Sequence, residues 1–133
     1  MNWGIFFKSL MLVVGGGFGY LFGGGSVLLQ VLFAFMIIDW FSGVIASYVE
    51  GKLSSKVGFI GIAKKVMILA IIVLSHLIDQ YLNQSNTIRD AVTFFYLGNE
   101  GLSFVENAGR MGVPLPAQLI NAVQVLKSKG ENK

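Results

Sequence analysis

The sequence predicts an all-α integral membrane protein. It should have three to four transmembrane helices, four favoured, with both ends cytoplasmic, then a short amphipathic C-terminal helix, and should assemble as a homo-oligomer. Three observations carry this. Apolar residues make up 54 % of the 133 and charged residues 13 %, with a mean hydropathy of +0.69, whereas soluble domains carry about 25 % charged residues. Residues 4–49 are apolar almost throughout, too long for one helix crossing about 30 Å of hydrocarbon. A basic link, GKLSSKVGFIGIAKK (Gly51–Lys65), then separates this run from a second apolar segment, Val66–Leu82. Lys52, Lys56, Lys64 and Lys65 are four of the ten basic residues, and loops rich in lysine stay on the cytoplasmic side. This link therefore sets the orientation.

Taken in order, the elements form a single membrane domain over 1–133. Lys8 precedes an apolar run, as in a secretory leader, but no small-residue cleavage motif follows it. The expectation is a retained first span. Gly23-Gly24-Gly25-Ser26 divides the long run, because glycine runs favour a turn, giving spans near 5–22 and 27–48. Trp3 sits where interfacial aromatics are expected. Gly15, Gly19 and Gly23 fall four apart, a ridge that lets helices approach closely; the plainer alternative is a deformable helix with no partner.

The second span carries Asp39 in its middle, where a carboxylate costs about 2.5–3.5 kcal/mol on insertion scales. It must face protein or water. Ser42, Gly43, Ala46, Ser47 and Glu50 share its helical face, leaving Phe33, Phe35, Ile37, Phe41 and Ile45 for lipid. Asp39 either bonds a neighbouring helix or faces a pore. A cytoplasmic link over 50–63 leads to the third span, 64–82, where the stems of Lys64 and Lys65 can snorkel to the headgroups. Near its far end His76 and Asp79 lie three apart beside Ser75, as a buried ion pair or a water-facing patch.

Residues 88–111 are half apolar and half polar. Asn99, Ser103, Glu106 and Arg110 recur at four, three and four, with Glu100 and Asn107 alongside. That is one polar face on a helix, and Glu106 with Arg110 has the favoured spacing for an ion pair. The helix either lies at the interface or spans with its polar stripe wet. Spanning is favoured because it returns Arg110, Lys127, Lys129 and Lys133 to the cytoplasm. Pro114 and Pro116 stop it. Ala117–Leu126 is amphipathic, and the tail to residue 133 is polar and expected to be mobile.

Much is excluded. Without cysteine there is no disulfide, thiolate or cysteine metal site. One histidine cannot supply a metal cluster, so neither cofactor nor metal is expected. Ser75, His76 and Asp79 within one helical turn cannot adopt triad geometry. No phosphate loop or nucleophile elbow appears, so an enzyme is not expected. The net charge of +3 is dispersed, which fits membrane lipid rather than nucleic acid.

Three stretches carry a resemblance: MIIDWFSGVIASYVEGKLSSKVGFIGIAKK, ILAIIVLSHLIDQ and FFYLGNEGLSFVENAGRMGVPLP. Over about residues 36–116 their order and spacing resemble the bacteriophage holin family, whose relatives include the clostridial toxin-secretion holins. The motif positions are Asp39, Gly43, Gly51, Lys52, Ser54, Lys56, Lys64, Lys65, His76, Asp79, Asn99, Glu100, Glu106 and Asn107. The glycine-rich first span lies outside them. The resemblance implies a protein of the bacterial cytoplasmic membrane that oligomerises and opens a hole, releasing an endolysin or a toxin as cargo. Independently of it, the polar stripes carry more ionic surface than one small bundle is expected to satisfy. Pairing between copies would satisfy them, with Asn99, Glu100, Glu106, Asn107 and Arg110 lining the lumen of the open ring. Two rivals stand beside this: a selective channel or transporter with an Asp39–His76–Asp79 proton relay, and a non-conducting scaffold.

Overall fold

A computed structural model describes residues 2–131. Five helices follow one another: α1 (Trp3–Phe22), α2 (Val27–Val49), α3 (Ser55–Tyr81), α4 (Thr87–Arg110) and α5 (Ala117–Glu131). The breaks are chemically plain. Gly23 ends α1 in the left-handed conformation, φ 79°, which glycine adopts without a Cβ penalty. Ser26 and Ser54 cap α2 and α3, their hydroxyls accepting from the N–H groups of Leu29 and Val57.

The serine cap corrects one expected boundary. The link is not 50–63: α3 begins at Ser55 rather than near Lys64, because the cap and the following apolar residues carry the helix through Gly58 and Gly61. Lys56, Lys64 and Lys65 therefore stand on α3, leaving Lys52 in the short turn.

α2, α3 and α4 pack as the central bundle around Leu29, Leu32, Met36, Ile72 and Leu97, with Phe22 closing one end. α1, α2 and α3 are long and apolar enough to cross a membrane. α4 has similar length, 24 residues or about 36 Å, but is more polar, and it sits deepest among its neighbours, with Thr93, Leu97, Gly98, Glu100, Gly101, Asn107 and Ala108 buried. α1 is nearly bare. Phe22 is its one buried residue, and Met11 and Leu12 are 74 % and 77 % exposed.

The glycine ridge expected on α1 is not used within the chain. A Cβ on Gly15 or Gly19 would meet nothing within 4 Å, and Gly23 lies in the cap, against the His76 ring. The tight glycine packing is elsewhere. α5 turns back after Pro114 and Pro116 and lies against α4, where a Cβ on Gly98 would come within 2.5 Å of the Lys127 backbone. Gly130 meets the backbone of Phe95 in the same way. The tail expected to be mobile is thus helical and packed through Glu131; Lys133 and the residue before it lie outside the described residues.

Candidate functional site

Two charged clusters hold the bundle together. The first lies midway along the helices. Lys65 on α3 donates to Asp39 on α2 at 2.8 Å and to Glu100 on α4 at 2.7 Å. All three groups are largely buried, their side chains 16 %, 10 % and 7 % exposed. Lys65 therefore does not snorkel outward as expected: two carboxylates hold its ammonium between the helices, and a buried ion left unpaired would cost several kcal/mol. The Asn107 amide joins the cluster, donating to Asp39 Oδ1 at 3.0 Å and Ser42 Oγ at 2.9 Å. Gly43 lies beside it, where a Cβ would make an ordinary contact at 3.5 Å with the Asn107 amide nitrogen.

Toward the 50–54 turn, Arg110 reaches across to α2. It donates through Nε to Glu50 at 2.9 Å and through Nη2 to Glu50 and Ser47. The expected Glu106–Arg110 pair is replaced by this contact: the guanidinium points inward to α2, while Glu106 is exposed. Asn99 and Ser103 are half-buried. Arg110 holds the Glu50 carboxyl below its ordinary value, chiefly through the side-chain hydrogen bond, with the charges of Arg110 and Lys52 acting in the same direction.

The second cluster closes the opposite end. Asp79, fully buried, accepts from the backbone N–H groups of Ile88 and Arg89 at 3.0 and 2.9 Å. A side chain of α3 thus caps the N-terminus of α4. The residue at the cap position, Asn86, makes no such bond; its amide oxygen is 2.8 Å from His76 Nδ1. His76 and Asp79 therefore form neither an ion pair with each other nor a wet patch. Arg89 completes the cluster, donating to the carbonyls of Phe22 and Gly23 at 2.8 and 3.2 Å, which α1 leaves without helical partners. It also pairs with Asp90 at 2.9 Å.

Several of these groups escape a reading by periodicity. Arg89 stands at the start of a helix beside Asp90, and an arginine there is a recognisable signal. Asn86, and the pairing of Glu50 with Arg110, are found only in three dimensions. Trp40 borders Asp39 and needs an acceptor when enclosed; its indole N–H donates to the Gly58 carbonyl at 3.1 Å. Among the described residues, no group of three His, Asp or Glu side chains is placed to hold a metal.

The expectation that one copy cannot satisfy its ionic groups is corrected for the buried carboxylates, while Glu106 stays exposed. Asp39, Asp79 and Glu100 all find partners within the chain, because α4 offers its acidic and amide face to α2 and α3. The apolar layer of Leu32, Met36, Ile72 and Leu97 stands between the mid-bundle cluster and His76–Asp79. A proton relay through Asp39, His76 and Asp79 is therefore not assembled in this arrangement.

Comparison with known proteins agrees with the resemblance. The uncharacterized protein Lin0175 of Listeria innocua is 47 % identical over 125 residues, covering 94 % of this chain and 89 % of its own length. Lmo0128 of Listeria monocytogenes is 46 % identical over 130 residues, covering 97 % and 93 %. A 14.9 kDa protein from the nagH 3′ region of Clostridium perfringens is 32 % identical, covering 97 % and 94 %. No solved structure matches the chain. The sequence profile of the bacteriophage holin family matches residues 16–128, and this chain, a helical membrane protein, belongs to that family.

Proposed function

We propose that the chain is a holin that oligomerises in the bacterial cytoplasmic membrane and opens a pore large enough to pass an endolysin or a toxin. In this reading α1 to α4 span the bilayer, with both ends and the 50–54 turn cytoplasmic. The observation that carries it is α4. It is a helix of spanning length whose Glu100 and Asn107 are covered by side chains of two more apolar helices, Lys65 of α3 and Asp39 of α2. The arrangement described is the closed one. Opening exchanges these contacts for equivalent ones between copies and turns the stripe of Asn99, Glu100, Ser103, Glu106 and Arg110 toward water. Such a transition is a repacking between two discrete arrangements. The bare α1 offers each copy an apolar surface for lipid or for its neighbours. Family membership points to a non-enzymatic protein, in line with this reading.

Replacing Glu100→Leu together with Glu106→Leu tests it. The variant, matched to the parent for amount in the membrane, is scored by release of an enzyme-sized cargo after induction. Loss of release is expected. Unchanged release removes this face of α4 from the lumen and overturns the proposal.

A further inference from the structure

Between α2 and α3, at the end carrying the 50–54 turn, the helices separate around a cleft of about 480 Å³ floored by α4. Lys52, Lys64, Lys65 and Arg110 line it. The charges of Lys65 and Arg110 are matched by Asp39, Glu100 and Glu50. Lys52, whose charge acts on Glu50, and Lys64 form no salt bridge among the described residues, so the cleft presents two ammonium groups to an anion. Gly58 and Gly61 are among the residues on its α3 wall. A Cβ on Gly61 would stand 3.2 Å from the Trp40 ring, tight enough that the indole would have to shift by a few tenths of an ångström.

A second groove continues along the same seam toward mid-bundle. It is about 280 Å³ and lined by Phe33, Ile37, Phe41, Ile62, Val66 and Leu69, with Trp40 and Lys65 bordering both spaces. A cationic chamber leading into an apolar furrow has the polarity of an amphiphile. We propose that this seam binds one anionic phospholipid of the leaflet that meets the 50–54 turn, its phosphodiester between Lys52 and Lys64 and an acyl chain beside Trp40. A free phosphate would match the lysines and leave the furrow unused. A helix from another copy would leave Lys52 and Lys64 without an anion to meet. Basic pockets between spans on the cytoplasmic side are a recurrent setting for anionic headgroups. The inference rests on the helices spanning a membrane and not on pore opening, and it is tested without any measure of leakage.

Trp3→Phe leaves Trp40 as the sole indole. That protein is reconstituted in vesicles carrying phosphatidylglycerol or phosphatidylcholine with brominated acyl chains, and quenching of Trp40 reports occupancy of the furrow. Brominated phosphatidylglycerol should compete roughly tenfold better than the choline lipid. The preference should fall to within about twofold in Lys52→Gln/Lys64→Gln and persist in Lys64→Arg, which keeps the charge. Millimolar inorganic phosphate should leave it unchanged. Equal quenching by the two lipids overturns the proposal, as does a preference that survives the double substitution. Displacement by inorganic phosphate would make the site one for a free anion, and absence of quenching by either lipid would give the seam to a second copy; each overturns it as well.

Discussion

The two charged clusters use similar residues to opposite ends. At the closed end, Asp79 and Arg89 bond to backbone: the carboxylate to the first N–H groups of α4, the guanidinium to the last carbonyls of α1. Midway along, Lys65, Asp39, Glu100 and Asn107 bond mostly to one another's side chains. A helix end has fixed geometry and orphan groups that no neighbouring copy can readily reach. A side chain can rotate toward an equivalent partner on another molecule. The Asp79–Arg89 cluster is therefore scaffold, and under the proposed function the Lys65 cluster is the exchangeable one. The proposed opening would need both, since the helix ends would have to stay joined while α4 changed partners.

The largest effect should come from breaking the scaffold. Asp79→Ala removes the acceptor of two buried N–H groups, and hydrogen bonds to a charged group contribute about 1.5–3 kcal/mol each. A loss of about 3–6 kcal/mol is expected, read as denaturant-induced loss of helical signal in mixed micelles. Asp79→Asn, which keeps one acceptor oxygen, should lose about half as much. Equal stability of Asp79→Ala and the parent would refute the cap.

Breaking the exchangeable cluster should cost somewhat less and act differently. Lys65→Met strands Asp39 and Glu100 together, and removing one partner of a buried ion pair costs about 3–5 kcal/mol. Adding Asp39→Asn and Glu100→Gln removes the stranded charges and should restore most of the stability. The two variants should also differ in the onset of membrane breach after induction. Lys65→Met should breach early, because stranded carboxylates are costlier in the closed, buried arrangement than in one where Glu100 meets water, whereas Asp79→Ala should lose breach with the fold. If both behave alike, the distinction between the clusters has no functional meaning.

How much of this was legible in the sequence follows the same division. Apolar run lengths, the glycine turn and the two prolines mark five helices because each acts locally. Asp39, Glu100 and Asn107 are visible as costly groups in greasy helices. Which group satisfies which is not visible, because it depends on how helices are rotated about their axes. Lys65 reads as a headgroup anchor from its neighbour Lys64, yet a small turn of α3 carries it inward. Glu106 and Arg110 have the right spacing for each other, but Glu50 sits across the bundle where no spacing rule reaches. Glycines misled for a related reason. The ridge at Gly15 and Gly19 has the pattern of a packed face and no partner within the chain, while Gly98 and Gly130 touch across two helices and share no pattern.

The smallest expected effect sharpens the comparison at its margin, where Arg110 meets Glu50 outside the apolar core. Folding holds the Glu50 carboxyl below its ordinary value of 4.5. A carboxylate so shifted adds stability that is present above its unfolded value and is lost as pH falls through the lower, folded one. The parent should therefore exceed Arg110→Gln in stability near neutral pH, with the difference shrinking below about pH 4.5 as both states take up the proton. This pair is partly exposed, so salt should shrink the difference as acid does. The Lys65 cluster borders the cleft but is largely buried, and it should respond to salt less. A salt response of equal size at both sites would mean that water reaches the mid-bundle carboxylates in the closed arrangement, and the covered face of α4 would then be wet before any change of partners.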